Sequence, residues 1–498
     1  MAIVWRILRI LIVLELAYLA LFNSVLNLGF TQDLINRIKP DNFAVSWEGA
    51  WTLYPFRVHA YGVRANGQAR SQQWFLESPE ASGSISLLPL ILKRVSLSGV
   101  QAQDITYRQR PRPKPDKDFS KIREYFPPIP GRELETRPPQ LPEPKPGKKP
   151  WHIKINDIHA SGEHRLWLYQ AQARIKGEAR TSLSAVTRGG PVALEGGEVN
   201  LVLESLMLNG DREVTRDAHI KGDVALQPLV IKQNKGLPAL TFLQTDLEIQ
   251  ARAENLAFLN LYLKAFEGMR LSGAGEVKGR LILEKGMLLP GSTLSIAADT
   301  LGLSLLNYRV EGDGNILIET PQPEADSTPD TRFAIAFNDL QAFYNSDLDA
   351  LLTGNGLILN GTGSNTLIPT KDSPLQAKSL VLSISELEAP DLGGFQRFLP
   401  DKWPFRLHGG SGVVIGQIAV DQNSVSSDVR LHSEAADVGF NDLRFSSNLD
   451  MGLSISSPEL ETGRIELTGT HLKISETEVS GNQQHSDPWH AAITIEKG

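Results

Sequence analysis

The sequence predicts a mainly β protein: an N-terminal transmembrane helix, then an extended, twisted antiparallel β-sheet (groove or sandwich) with few short helices and an internal duplication. Three observations carry this. Apolar residues recur at every second position through most of the 498 residues, the period of a half-buried strand. Gly, Asn and Asp clusters punctuate the alternation, and Asn360-Gly361 is a strong hairpin-type signal. Long helical patterns are scarce beyond the first thirty residues.

Residues 1–30 come first. From Ile10 to Phe30 the chain is largely apolar, broken by Glu15 and a few small or amide residues. At about 1.5 Å per residue, roughly twenty residues span a hydrocarbon core of about 30 Å. Arg6 and Arg9 precede the run, as where a short tail stays cytoplasmic, but Arg37 and Lys39 follow it closely. Cleavage after Ala17, Ala20 or Ser24 would put Glu15, Tyr18 or Phe22 where a signal peptidase wants a small residue. The segment therefore reads as an uncleaved anchor, with Glu15 either snorkelling or contacting another helix.

Residues 31–108 form an N-terminal β module. Ile85 and Leu87, Val95 and Leu97, and Ile105 and Tyr107 each sit two apart among polar residues. The proline in Leu87-Leu88-Pro89-Leu90-Ile91-Leu92 favours a short helix or crossover there. Residues 109–150 hold twelve of the chain's 30 prolines among many Lys and Arg residues. This is a Pro-rich basic linker, extended because proline cannot donate to a sheet. Its island Phe119–Phe126 reads as one or two helical turns. The stretch could serve as a spacer, or as a basic arm on anionic headgroups or a partner domain.

Strands resume in a β region, 151–255, followed by two helix-plus-strands repeats, 256–392 and 393–498. Gly273-Ala274-Gly275-Glu276-Val277-Lys278-Gly279 aligns with Gly410-Ser411-Gly412-Val413-Val414-Ile415-Gly416 at an offset of 137 residues. Upstream at that offset, Phe258 falls on Phe395, Leu261 on Phe398 and Phe266 on Trp403. The helix of the first copy, about Ala257 to Phe266, places Phe258, Leu261, Tyr262 and Ala265 on one face. Such self-similarity marks a repeated supersecondary unit. The glycine runs are not a dinucleotide fingerprint: their spacing is one residue too long, and they lead into a strand instead of a helix.

Composition narrows the function. A net charge of −7 argues against a nucleic-acid binder, which needs a basic face to neutralise phosphates, so no nucleic acid is expected. With no cysteine there are no disulfides, thiolate metal sites or cysteine nucleophiles. Neither a nucleophile elbow, a phosphate-cradling loop nor a zinc-helix motif is present. The closest histidines, His159 with His164 and His485 with His490, lack a third ligand and read as exposed. No enzyme, cofactor or metal is expected.

The N-terminal pattern resembles the AsmA-like proteins of Gram-negative envelopes, related to repeating-β-groove, bridge-like lipid transfer proteins. An anchor runs into Phe43-Ala44-Val45-Ser46-Trp47, Val58-His59-Ala60-Tyr61-Gly62-Val63 and Trp74-Phe75-Leu76-Glu77. Next comes Ile85-Ser86-Leu87-Leu88-Pro89-Leu90-Ile91-Leu92-Lys93-Arg94-Val95-Ser96-Leu97-Ser98-Gly99-Val100, and then the duplicated unit. The long proline-rich insertion departs from the family pattern. The resemblance implies a single-pass inner-membrane protein, mostly periplasmic, that handles phospholipid or supports envelope and outer-membrane homeostasis, without catalytic residues. On that reading Leu201, Leu203, Leu281, Leu283, Phe333, Ile335, Phe337, Leu382, Ile384, Ile418, Val420, Met451 and Leu453 line the apolar, lipid-binding face. The alternative is a non-enzymatic assembly factor that binds a further envelope protein through sheet edges or Glu15. A groove and a closed core show identical alternation, so the pattern leaves both open.

Overall fold

The structure is a computed structural model. It describes residues 2–37, 42–69, 72–112, 120–132, 149–210, 212–231, 233–234, 237–261, 263, 268–324, 329–369, 376–399, 402–441, 443–457, 465–476 and 490–496. The rest of the proline-rich stretch, with Tyr262, Ala265, Phe266 and His485, lies outside them. The chain is mainly β and divides into two units, residues 1–252 with 282–286, and residues 253–281 with 287–498.

The first unit begins with helices α1 (Ala2–Asn27) and α2 (Gly29–Arg37). Strands β1 (Phe43–Ser46), β2 (Gly49–Trp51), β3 (Arg57–Gln68) and β4 (Gln72–Ser86) follow, then the single turn α3 (Leu88–Ile91). Next come β5 (Arg94–Gln103), β6 (Thr106–Pro111), α4 (Ser120–Tyr125), β7 (His152–Leu168), β8 (Ala171–Val186), β9 (Val192–Leu208), β10 (Arg212–Leu229) and β11 (Leu243–Ala253).

The sheet is mixed, not wholly antiparallel as expected. β5 and β6 pair antiparallel with β4 on one side and parallel with β7 on the other. They act as one long strand broken at Asp104, whose φ of 48° turns the chain. A parallel neighbour demands a crossover of a dozen or more residues. The proline-rich stretch is that crossover, returning the chain from Pro111 to His152 at the other end of the pair. Its island forms the expected helical turn and is pinned down. Phe126 and Ile129 are buried with Phe75, and Ile122, Tyr125 and Trp167 pack around them. Arg108 donates to the Pro128 carbonyl at 2.6 Å and lies 5.0 Å from the Phe75 ring centroid.

The expected N-terminal helix forms, but the fold does not establish it as a membrane span. Among the described residues no helix is long and apolar enough to cross a membrane. Three amides tie the C-terminal part of α1, and α2, to the sheet. Asn23 donates to the Thr52 carbonyl (3.0 Å) and accepts from its N–H (2.7 Å). Asn27 does the same with Ala50, and Asn36 of α2 with Val45. These side chains take the place of a neighbouring strand along an edge that would otherwise expose its backbone groups. Residues 23–36 are thus committed to the protein. The helix left to project is Ala2–Phe22, with Arg6, Arg9 and Glu15 among exposed apolar side chains.

The second unit contains β12 (Arg270–Glu284), β13 (Met287–Leu288), β14 (Thr293–Leu305), β15 (Tyr308–Glu319), β16 (Asp330–Tyr344), β17 (Leu352–Ser364) and β18 (Ala377–Ala389). It continues with β19 (Phe405–Gly409), β20 (Gly412–Asp421), β21 (Val425–Phe440), β22 (Leu443–Ser457), β23 (His471–Glu476) and β24 (His490–Thr494). Their pairings are antiparallel, and the register aligns one apolar row across seven strands: Val277, Ile296, Ile316, Ile335, Leu359, Leu382 and Ile418. Asn360-Gly361 lies inside β17 and not in a hairpin. Gly361 instead makes room for a neighbour, since a Cβ there would lie 2.2 Å from the Phe333 ring.

The repeat-like architecture is visible in geometry. Each copy opens with a 3-10 turn, Leu256–Leu261 or Leu392–Phe398, where the sequence pattern had suggested an α-helix for the first. Leu256 and Leu392 are both fully buried. Asn260 clamps the backbone of Leu271, and Gln396 accepts from the Leu407 N–H at 2.7 Å. Gly273 (φ 118°) and Gly410 (φ 92°) then lie so close to the next strand that a Cβ would sit 1.9 Å and 2.5 Å from its carbonyl oxygens. That crowding is why both copies need glycine. Ile335 is 1% exposed, so Ile335→Ala is expected to cost about 2–5 kcal/mol, measured by denaturant unfolding.

Candidate functional site

The two units treat their apolar faces differently. In the second, Ile296, Ile316, Ile335 and Leu359 are essentially inaccessible. In the first, a transverse row of equal quality, Ile85, Leu97, Ile155, Leu183, Leu194 and Leu226, runs across six strands in direct register. Every member is only half-buried. Residues on the opposite side of the same strands, such as Arg174, Lys176, Glu178 and Arg180, are exposed. Lys176–Glu163 (3.7 Å) and His159–Glu178 (3.4 Å) pair across that outer side.

A second row lowers the floor of this face. Ala60, Ala81, Ala102, Ala160 and Ala179 face one another on five successive strands. Beyond it Gly162 and Gly177 are paired. Small residues flanked by the leucine–isoleucine row leave a shallow furrow with an apolar wall on that side. The furrow runs across the strands, and six strands span about 24 Å. The α4 island packs around Phe75, Arg108 and Trp167, which alternate with the furrow residues and so lie on the other face. It therefore does not cover the furrow.

His164 stands further along this face, in register with Ile175, Leu203 and Ala218. It is 7% exposed, which corrects the expectation of an exposed histidine. Its place on the inward parity of β7 decides this, and the motif search could not. Nδ1 accepts the Ile105 N–H at 3.1 Å, so the proton of the neutral ring belongs on Nε2. Desolvation lowers its pKa below 6.5, opposed by the Gly177 carbonyl and by Asp104. Arg110, also buried, donates to Gln73 Oε1 at 3.1 Å and to the Arg132 carbonyl. Burial pulls its guanidinium down to about 10, which leaves it charged at neutrality.

In the second unit the apolar face retains a cavity of about 180 Å³. Leu259, Leu263, Leu281, Leu294, Ile318 and Phe333 line it, with Ser292 and several threonines at its border. That is slightly larger than an engineered cavity of about 150 Å³ that stays dry and takes benzene. A larger recess of about 820 Å³ lies near the last strands, among His432, Glu434, Asp450, Lys473 and His490. Within it Asp450 lies 3.8 Å from Lys473 and, at its edge, 3.6 Å from His471.

The thirteen residues expected to line an apolar face separate accordingly. Leu281 and Phe333 border the cavity. Leu283, Ile335 and Phe337 are buried, and function as protein core. Leu382, Ile384, Ile418 and Met451 are half-buried on the same side, while Val420 and Leu453 are exposed at its far rows. Leu201 and Leu203 belong to the first unit, Leu203 being buried. Sequence reasoning missed the better furrow residues, Ile155, Leu183, Leu194 and Leu226. Their signal was present as alternation, but bulges at Gly99 and Asp157 shift the parity and hide the common face.

Among the described residues no group of three or more His, Cys, Asp or Glu is placed to hold a metal ion. The chain matches no protein-family model, and no curated protein matches it.

Because His164 titrates lower in the folded chain than in the unfolded one, the unfolded state binds the extra proton first. Its contribution is complete above pH 6.5 and is lost as pH falls from 6.5 toward the lowered folded value. Urea midpoints should drop over that interval, and His164→Gln, which keeps an acceptor for Ile105, should flatten the drop.

Proposed function

We propose that this chain is a membrane-anchored, non-enzymatic β-protein of the AsmA-like kind that holds phospholipid acyl chains against the apolar face of its first unit. On this reading α1 is an uncleaved inner-membrane anchor, most of the chain is periplasmic, and the activity supports envelope homeostasis. The incompletely buried row from Ile85 to Leu226 carries the proposal. Full burial of such a side chain is worth about 1.5–3 kcal/mol. With at most about a third unrealised at six positions, an occupant could gain roughly 3–6 kcal/mol, at the low end of the roughly 4–15 kcal/mol cost of immobilising a partner. That balance favours holding a tail loosely, as transfer requires. The row's width, about 24 Å, also exceeds the roughly 15 Å of hydrocarbon in one leaflet.

One observation favours a second reading, an assembly factor that accepts a strand from another envelope protein. Among the described residues β24 pairs with β23 alone, and all five of its residues are exposed. Strand addition needs such an edge.

Lipid extraction and native mass spectrometry of the detergent-purified chain test the first reading. Phospholipid should co-purify, and Ile155→Asp combined with Leu183→Asp should remove most of it while far-UV circular dichroism stays β. Unchanged lipid in the double variant, or none in the parent, would sink the proposal. Stable capture of a protein partner that depends on β24 would favour the second.

A further inference from the structure

The strands of the first unit run up and down, so their connecting turns gather at two ends. The turn between β2 and β3 and the segment between β4 and β5 share one end, since Arg57 pairs with Ser84 and the Ile85 N–H donates to the Phe56 carbonyl at 3.0 Å. Both are unusually greasy. Leu53, Tyr54 and Phe56 are exposed in the first; in the second Leu88 and Ile91 are each 81% exposed and Leu92 nearly as much. Neither turn contains an acidic residue, and both end in basic ones, Arg57 and Lys93-Arg94.

Helix α1 fixes what faces this end. Asn27 binds Ala50, Asn23 binds Thr52, and the Tyr18 hydroxyl reaches Thr52 Oγ1 (3.1 Å) and the Tyr54 carbonyl (3.2 Å). Moving toward the N-terminus, the helix therefore travels down the edge and past the tip, carrying its exposed apolar residues beyond these same turns. Exposed apolar and aromatic side chains with a basic fringe beside a greasy helix have the composition of a membrane-interface belt.

We propose that the 53–56 and 87–92 turns seat in the headgroup–acyl boundary of the membrane that holds α1, so that the lower end of the furrow opens onto that leaflet. The inference rests on α1 being embedded, and deepens the lipid reading by naming the furrow's entrance. Ile85 and Leu97, the first two members of the furrow row, flank the 87–92 turn directly.

The absence of cysteine makes the test clean. Leu14→Cys, Leu88→Cys, Ile91→Cys and Gln170→Cys, the last at the opposite end of the strands, are each labelled with an environment-sensitive fluorophore. The full chain is reconstituted into phosphatidylethanolamine–phosphatidylglycerol vesicles carrying nitroxide-labelled phospholipid. Labels at 88 and 91 should lose fluorescence with the Leu14 label while the Gln170 label keeps its own. Labels at 88 and 91 that behave like Gln170, with Leu14 quenched, overturn the seated turns and leave the anchor standing. An unquenched Leu14 label overturns both. Lipid co-purification is read separately, so failure of the furrow is distinguishable from failure of its entrance.

Discussion

Each strand here alternates a side that water accepts with a side that water rejects, and the rest of the structure follows from what covers the second. At about 25 cal/mol per Å², a sheet of these dimensions cannot leave its apolar side wet without a large loss of stability. The second unit meets the constraint internally. Leu392 inserts among Phe405, Leu407, Leu431, Val438 and Leu449, and the seven-strand row closes to near-zero exposure at its centre. The first unit uses equivalent side chains in equivalent register and leaves them half covered. Amino-acid type does not separate the two cases; the presence of a covering layer does.

Two local devices let the first unit stop short of closing. Along its leading edge, the amides of Asn23, Asn27 and Asn36 satisfy β-strand backbone groups, so no further strand is required there. Within the sheet, the parallel pairing of β5 and β6 with β7 forces a long return crossover. The Phe126–Ile129 segment of that crossover is spent on the outer face, over Phe75 and Trp167. Had the same residues packed on the inner parity, they would have filled the furrow and made an ordinary two-layer core.

Fold class was legible because period-2 alternation is strong and long helical patterns are rare. The repeat-like pattern was legible too, since Gly273 and Gly410 answer the same steric demand. Other features depended on partners the sequence does not name. Asn360-Gly361 has the composition of a hairpin, yet the Phe333 ring across the ladder is what selects that glycine. The parallel pair was hidden because a proline-rich crossover does not read in sequence like the helical one that usually announces such a pair. His164 read as an exposed residue until its parity on β7 was fixed by the bulge at Asp157. For the site, the face was identified but its most open part was not: exposure is set by layers that are distant in sequence.

The furrow's chemistry also argues about the kind of occupant. Leucine and isoleucine wall it, alanine and glycine form its floor, and burial pushes the pKa of His164, further along the same face, down toward the neutral form. The Lys176–Glu163 ion pair and the His159–Glu178 contact stand on the outer side. A ligand with a polar or charged body would gain little from such a surface and would lose its hydration there. A hydrocarbon tail has no hydration to lose, and it needs no directional contacts, so any position along the row serves as well as the next. Weak, non-directional contact repeated across strands gives retention without a fixed binding pose, and that is the physical property that separates a conduit from a receptor site.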